Sequence, residues 1–252
     1  MSEDQPDAVA IVSELLDPGL SPQAFRTDRT TAARSTAWLG GDDALQQLGL
    51  RPGAPVHAPD LTYVLVGRHA RSGVRVLPEP ALYNLVYLAP RSLSMAWTQL
   101  DAAAQIAIEE AARAGIHRML EHLMRRVPLI DGVRPARSFV AALVSHAVGT
   151  RSAAAGPVPP MLHVHCCLFA VQDEDGTLTQ PDEPALADDD VQRECDALVE
   201  THLADRLVAL GYRIRNTAGA ATGHSFELDG VPQSLLDNED FWRNTGCATA
   251  GG

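Results

Sequence analysis

Two apolar segments, joined by a loop rich in Ala, Gly and Pro, constrain the fold more than any other part of this sequence. Residues 138–148 read SFVAALVSHAV and residues 161–170 read MLHVHCCLFA. Side chains of a β-strand alternate between its two faces. In the second segment this alternation puts His163, His165 and Cys167 on one face, and only apolar residues and Cys166 on the other. The pattern predicts two strands, one of which presents paired imidazoles.

A third histidine lies on the first of these strands. Alternation places His146 on the same face as Val144 and Ala142, so His146 can reach His163 and His165 if the strands are neighbours. Three neutral imidazoles form a good site for zinc or a transition metal, with positions open for water or substrate. Hydrogen-bonded structural histidines are the alternative. Cys167 is either a soft fourth ligand or a small apolar filler.

Charge limits the classes of function. The net charge of -12 repels a phosphate backbone, and this disfavours extended DNA as the ligand unless the basic residues cluster on one face. All 20 basic residues are arginine. Without lysine, the chain has no side chain for Schiff-base chemistry and no Walker-type phosphate loop.

Length, apolar patterning and cysteine usage indicate the cellular compartment. A chain of 252 residues can bury a full core, and it contains no run of about 18 apolar residues and no signal-peptide pattern. Cys166 and Cys167 are adjacent and cannot form an ordinary disulfide, which indicates reduced thiols. We therefore expect a cytoplasmic protein without a membrane span.

The remaining segments predict a mixed α+β chain. We expect residues 1–35 to form a helix and an irregular segment, residues 36–243 to form the main domain, and residues 244–252 to be a disordered tail. The patterns predict a short helix after Gly41, a helix over 57–67, a strand over 82–88, a long helix over 94–125 with a break near Asp101, a helix over 191–210, and short strands over 211–215 and 224–228.

The order of motifs resembles that of the TrwC or MobF family of conjugative relaxases, which are three-histidine proteins of the HUH type. The motifs that carry this resemblance are WLGGDDALQQLGL, GRHARSG, YNLVYLAPRSLSMAW, the histidine before Arg151, LHVHCCLF, DEDGTL, LADRLVALGY and SFELDGVP. The resemblance implies a two-layer α+β fold with a central antiparallel sheet and flanking helices. It also implies that His146, His163 and His165 hold a divalent metal. In such relaxases the metal polarises a scissile phosphate while an N-terminal tyrosine attacks it and forms a 5′-phosphotyrosine.

The sequence departs from the family pattern around this metal site. The family places its tyrosines before the WLGG segment, yet residues 1–35 contain none. Asn84 stands where the family usually carries an aspartate that helps to deprotonate the tyrosine, and an amide cannot take that proton. The loop between His146 and His163 is also longer than in the family pattern, and it contains proline. Asn84, Arg151 and Cys167 are candidate pocket groups, each with a structural role as the alternative.

The sequence therefore favours a relaxase scaffold with a metal-dependent activity on a small molecule. The metal would act as a Lewis acid, as a source of hydroxide or as a redox centre, and Fe, Zn, Mn, Cu, Ni and Mg are not distinguished. A divergent relaxase that binds or nicks single-stranded DNA is the alternative, with Tyr83 or Tyr87 as the nucleophile, although both lie on the strand face opposite to Asn84. A non-catalytic binding or regulatory protein is a further alternative. The sequence does not fix the oligomeric state.

Overall fold

The computed structural model describes residues 5–26, 35–149, 159–217 and 224–238. Within these ranges the chain contains both α-helices and β-strands, as the sequence predicts for a mixed chain. A 3-10 helix, Pro22–Phe25, follows the first α-helix. The α-helices are α1 (Gln5–Leu15), α2 (Asp42–Gln47), α3 (Ala58–Leu65), α4 (Arg91–Trp97), α5 (Ala102–Arg126), α6 (Glu183–Leu186), α7 (Asp189–Ala209) and α8 (Gln233–Leu236).

Two antiparallel sheets are built from the strands. The larger has the order β1-β3-β4-β2, with β5 paired to β4, and the smaller pairs β6 with β7. The strands are β1 (Thr36–Gly40), β2 (Tyr83–Leu88), β3 (Ser138–Val148), β4 (Pro160–Gln172), β5 (Leu178–Thr179), β6 (Ile214–Asn216) and β7 (Phe226–Leu228). The segments that the sequence marked as histidine strands, β3 and β4, are adjacent at the centre of the larger sheet.

β1 and the two-residue β5 are strands that the sequence analysis did not predict, because residues 36–50 were interpreted as a short helix after Gly41. The helix is present as α2, but a five-residue strand precedes it and pairs with β3. Gly40 ends this strand with φ of 147°, and a Cβ atom there would lie 2.0 Å from the carbonyl oxygen of Phe139. Glycine is therefore required at this position.

The long helices cover one face of the larger sheet. The expected break near Asp101 separates α4 from α5, and the Asp101 side chain caps α5 by accepting a hydrogen bond from the backbone N–H of Ala104 at 2.9 Å. α5 packs against α7 at Gly115, where an added Cβ atom would lie 3.2 Å from Val199. The apolar face of β4, including Val164, Cys166 and Leu168, joins the core beneath these helices.

The short N-terminal helices cover part of the second face, and the expected central antiparallel sheet with flanking helices is confirmed. Ala8, Val12 and Leu15 of α1 pack in a core with residues of α2 and α3 and with Trp38 of β1. Cys167 and Phe169 contribute to this core from β4. The histidines face this side of the sheet, so α1 lies next to them.

A buried carboxylate joins the smaller sheet to α4. Glu227 of β7 accepts hydrogen bonds from the backbone N–H of Ser92 at 2.9 Å and from the Ser92 hydroxyl, and the Ser92 hydroxyl accepts from the backbone N–H of Leu228 at 2.6 Å. Glu227 is 1% exposed. The APRS and FELDG motifs are therefore parts of one contact, although they are far apart in sequence.

None of the helices described combines the length and the apolarity needed to cross a lipid bilayer.

Candidate metal centre

Three histidines meet on one face of the larger sheet. His146 of β3 lies directly opposite His163 of β4, and His165 follows two residues later on the same face. Their ring centroids are 4.8 to 5.0 Å apart. One potential ligand nitrogen from each ring lies within 4.8 Å of the other two. The structure thus brings together the three residues that the alternation pattern placed on one face.

Each ring is oriented by an acceptor on its outer side. Nε2 of His146 lies 2.9 Å from the carbonyl oxygen of Leu15, and Nδ1 of His163 lies 3.0 Å from that of Met161. Nδ1 of His165 lies 3.2 Å from Oδ1 of Asn84. Since a carbonyl oxygen can only accept, these nitrogens carry the hydrogens of the neutral rings. The remaining nitrogens, Nδ1 of His146 and Nε2 of both His163 and His165, are unprotonated.

This donor set fits a metal ion. Nδ1 of His146 and Nε2 of His163 lie 3.2 Å apart, yet in the neutral tautomers just assigned neither has a hydrogen to donate to the other. Two lone pairs at this distance are stabilised by a cation that both can bind. Tetrahedral zinc with Zn–N bonds of ~2.0–2.1 Å separates its nitrogen ligands by about 3.3 Å. Outer hydrogen bonds of this kind also accompany most metal-bound histidines.

Burial keeps the rings neutral. It lowers the pKa of His163 to about 4 and the pKa of His165 to about 3, with the neighbouring imidazoles contributing to both shifts. Burial also lowers the pKa of His146, against the opposing effects of the Leu15 carbonyl and of Asp17 and Glu14. We call His146, His163 and His165 the trio. Because only a neutral imidazole can bind a metal, the trio is ready to bind one at neutral pH.

Asn84 and Cys167 lie beside the three histidines, and neither is assigned as a metal ligand. The two residues are register partners on β2 and β4, and the thiol of Cys167 lies 3.7 Å from Oδ1 of Asn84, to which it can donate. Cys167 is fully buried, and burial raises the pKa of its thiol to about 12. A protonated thiol in an apolar core matches the filler interpretation better than the soft-ligand interpretation. Arg151, the remaining candidate, lies outside the described residues.

No hydrogen bond joins a tyrosine to His146, His163 or His165 among the bonds given for the described residues. Tyr83, Tyr87 and Tyr212 pack in or against the core on the opposite face of the sheet, and Tyr63 is 42% exposed on α3. Burial raises the pKa of Tyr87 well above its ordinary value and, together with Glu183, raises the pKa of Tyr83 to about 12. The pleat of β2 directs both side chains to the face opposite to Asn84, as the alternation pattern predicts.

A cavity of about 670 Å³ opens beside His146. The described residues that line it include Leu15 at the end of α1 and Asp17 just after it. Ser21, Arg26 and Thr36 also line the cavity. The guanidinium group of Arg26 is buried and pairs with Glu109 of α5. This volume is in the range of small-molecule sites.

Sequence reasoning missed the outer acceptors of two histidines. Leu15 and Met161 act through backbone carbonyls, so their side chains carry no signal of this role. The Leu15 carbonyl is available because the last four C=O groups of a helix have no partner within it. The role of the Leu15 carbonyl could be recognised only from the end of α1 lying close to β3. That proximity is visible only in three dimensions.

The sheet order, the flanking helices and the three histidines on central strands together define a relaxase-type fold. A family model described as TrwC relaxase matches residues 26–239. The chain therefore belongs to the TrwC relaxase family.

Solved structures show the same fold. The chain is similar to a metal-bound conjugative relaxase TrwC in complex with oriT DNA, at 21% identity and a TM-score of 0.65, over 93% of this chain and 75% of that one. A copper-bound complex of TrwC with oriT DNA is similar at 20% identity and a TM-score of 0.65, over 92% of this chain and 76% of that one. A metal-free complex of TrwC with oriT DNA is similar at 20% identity and a TM-score of 0.61, over 86% of this chain and 75% of that one. No curated protein sequence matches the chain significantly.

Proposed function

We propose that this chain binds one divalent metal through His146, His163 and His165 and uses it on a substrate without forming a phosphotyrosine. The observation that supports this most strongly is the set of three unprotonated nitrogens, each on a ring whose other nitrogen is held by an acceptor. Nitrogen donors favour zinc, copper, nickel or iron over magnesium, which prefers oxygen. A metal held here would supply Lewis acidity to an oxygen atom of the substrate.

The residues of the chain have separate tasks in this proposal. The carbonyls of Leu15 and Met161 and the amide of Asn84 hold the tautomers that leave the inner nitrogens free. Asn84 replaces the carboxylate of the family pattern, so it orients His165 without accepting a proton from a nucleophile. The surrounding apolar core, with Trp38 and Phe169, keeps the rings desolvated and neutral.

A small molecule is the substrate that we favour. The net charge of -12 opposes binding of an extended polyanion. The cavity beside His146 has a volume typical of small-molecule sites, and Asp17, Ser21 and Thr36 offer polar groups within it. The position of Tyr83 and Tyr87 in or against the core on the opposite face of the sheet also supports a reaction without covalent attachment to DNA.

Residues 36–243 form the catalytic domain in this proposal, and the family model covers this range as far as residue 239. The free thiols of Cys166, Cys167 and Cys195 support a reducing compartment, for which the cytoplasm is our proposal.

The metal assignment is tested by loading the full chain with zinc and measuring metal content after gel filtration. We expect one ion per chain in the wild type, and less than about a tenth of that in His163→Ala. His57→Ala is the matched control because His57 is exposed at the start of α3 and its side chain makes no capping hydrogen bond. Full occupancy in His163→Ala would refute the assignment.

Single-stranded DNA is the second candidate, because the similar solved structures are relaxases in complex with DNA. Labelled oligonucleotides are incubated with the zinc- or manganese-loaded chain and resolved under denaturing conditions. Our proposal predicts no covalent adduct with any oligonucleotide. An adduct that disappears when Tyr63 is replaced by phenylalanine would establish a nicking enzyme and overturn the small-molecule proposal.

A further inference from the structure

β2 forms one edge of the larger sheet. It pairs with β4 on one side, and no other strand among the described residues pairs with its second side. An edge strand presents unpaired N–H and C=O groups, which form a template for another strand. Val86 at the centre of β2 is 39% exposed. The edge is therefore accessible where its backbone groups point outward.

A groove runs along this edge. We call it the β2 groove, and its volume is about 380 Å³. Every residue from Asn84 to Leu88 lines it on the strand side, together with His165 and Cys166 of β4. The opposite wall and the floor are mostly apolar and come from α5, α6 and α7: Ile116, Met119, Leu123, Leu186, Val191, Gln192, Cys195, Asp196 and Val199.

The position of α7 leaves this space open. α7 packs against α5, α6 and β6. The residues that it turns toward the groove, 191, 192, 195, 196 and 199, follow helical spacing and form one continuous side of the helix. An extended chain laid along β2 would therefore contact backbone on one side and a helix surface on the other.

Tyr87 adds a polar feature to the groove. The residue is 7% exposed, and its hydroxyl has no hydrogen-bond partner among the residues that the structure describes. A buried hydroxyl without a partner is uncommon in folded proteins, since each such group costs free energy. A segment seated in the groove could satisfy it.

Carboxylates surround the groove, although His224, which lies 2.7 Å from Oε1 of Glu200, acts on Asp196 with the opposite sign. Asp196 lies in its wall, and Glu200 lies close enough to act on both Asp196 and Tyr87. At the other end of β2, Asp182 and Glu183 act on Tyr83. No arginine is among the described residues that line the groove. A cationic occupant is complementary to these carboxylates, whereas a nucleic acid is not.

We propose that the β2 groove is a docking site for an extended segment of a partner protein, in which apolar residues alternate with arginine or lysine. The segment adds to β2 as a further strand. Its apolar side chains enter the space between β2 and α5, and its basic side chains approach Asp196 and the carboxylates at the Tyr83 end. His165 of the proposed metal centre reaches the groove, but the proposal is argued from the β2 edge and the surrounding carboxylates and does not require a bound metal.

The test uses the full chain and a fluorescein-labelled peptide of about eight residues that alternates arginine and valine, long enough to span the six residues of β2. Binding is followed by fluorescence anisotropy. We expect saturable binding that weakens about tenfold in Asp196→Arg. Asp205→Arg, with the same change of charge on an exposed part of α7 outside the groove, should bind almost as well as the wild type.

Two further measurements distinguish strand addition from simple charge attraction. Peptides methylated on alternate backbone nitrogens keep their charge but lose half of their N–H groups, and we expect one of the two methylation patterns to abolish binding. Hydrogen exchange should show protection of β2 amides when the unmodified peptide is bound.

Equal binding by Asp196→Arg and Asp205→Arg, or by both methylated peptides, would overturn the proposal. Equal binding of a peptide that alternates glutamate and valine would overturn it as well. A concentration-dependent dimer that is lost in Asp196→Arg and protects β2 without peptide would show that a second copy of the chain is the occupant instead.

Discussion

Oδ1 of Asn84 lies 3.2 Å from Nδ1 of His165, on neighbouring strands of the sheet. The same oxygen lies 3.7 Å from the thiol of Cys167. An amide oxygen that faces two donors has a defined orientation, because the flipped amide would direct its NH₂ group at both. Asn84 therefore selects the tautomer of His165 that leaves Nε2 free.

Replacing Asn84 should change metal affinity. Asn84→Leu removes the acceptor while keeping a similar volume, and we expect zinc affinity to fall by about 10- to 100-fold. Asn84→Asp restores a carboxylate, and its charge should raise affinity above that of the wild type. Competition with a chromophoric chelator measures both. Gln46→Leu, at an exposed position of α2, is the control, and unchanged affinity in Asn84→Leu would show that His165 needs no orienting group.

The cysteines of the core should be unreactive in the folded protein. Burial raises the pKa of Cys167 and of Cys195 to about 12, and that of Cys166 well above its ordinary value. Because the thiolate is the reactive form, a thiol reagent should modify these residues only after unfolding. The experiment uses a Cys247→Ser background and compares labelling in buffer and in urea. Rapid labelling of one thiol in buffer would indicate a reactive cysteine and revive a chemical role for Cys167.

Glu200 should make stability depend on pH. Burial alone raises its pKa, but hydrogen bonds from His224 and Ser225 outweigh this, and the pKa lies below the ordinary value of 4.5. Nδ1 of His224 lies 2.7 Å from Oε1 of Glu200, and the backbone N–H of Ser225 lies 2.8 Å from Oε2. A carboxyl with a lowered folded-state pKa adds stability above its unfolded pKa, and this is lost as the pH falls through the folded value.

Glu200→Gln is therefore expected to lower the free energy of unfolding by about 1 to 3 kcal/mol at pH 7. The difference from the wild type should shrink as the pH falls below about 4.5. Urea unfolding at the two pH values measures this. Glu121→Gln, at an exposed position of α5, should have little effect at either pH. A difference for Glu200→Gln that grows in acid would contradict the assigned direction of the shift.

Ser92 should be a stabilising residue that connects α4 to β7. Its hydroxyl donates to Glu227 and accepts from Leu228, and both Ser92 and Glu227 are buried. Ser92→Ala leaves the carboxylate and the N–H with one partner fewer, and we expect a loss of about 1 to 3 kcal/mol in urea unfolding. Ser234→Ala, at an exposed position of α8, is the control. A loss no larger than in this control would mean that water replaces the hydroxyl without cost.

Strand alternation predicted much of the site. It correctly placed His163 and His165 on one face of β4, His146 on the matching face of β3, and Tyr83 and Tyr87 on the face opposite to Asn84. These assignments depend on a period of two residues, which is local and easily read. The break at Asp101 was equally clear, because an N-capping aspartate leaves a local signal.

Long-range features were not predictable in the same way. The register that sets His146 opposite His163 depends on how β3 and β4 pair, and the intervening loop does not fix it. β1 is short and half-buried, and its ending at Gly40 depends on the approach of Phe139. The carbonyl of Leu15 became part of the site only when α1 packed on the second face. In each case the determining contact joins residues that are distant in the chain.

X-ray absorption at the zinc edge of the loaded protein measures whether the three imidazoles bind one metal. We expect three nitrogen ligands at ~2.0–2.1 Å, with the outer-shell scattering of imidazole rings. His165→Ala should lose one of these rings. A zinc shell of oxygen or sulfur alone, unchanged by His165→Ala, would show that the histidines do not hold the ion.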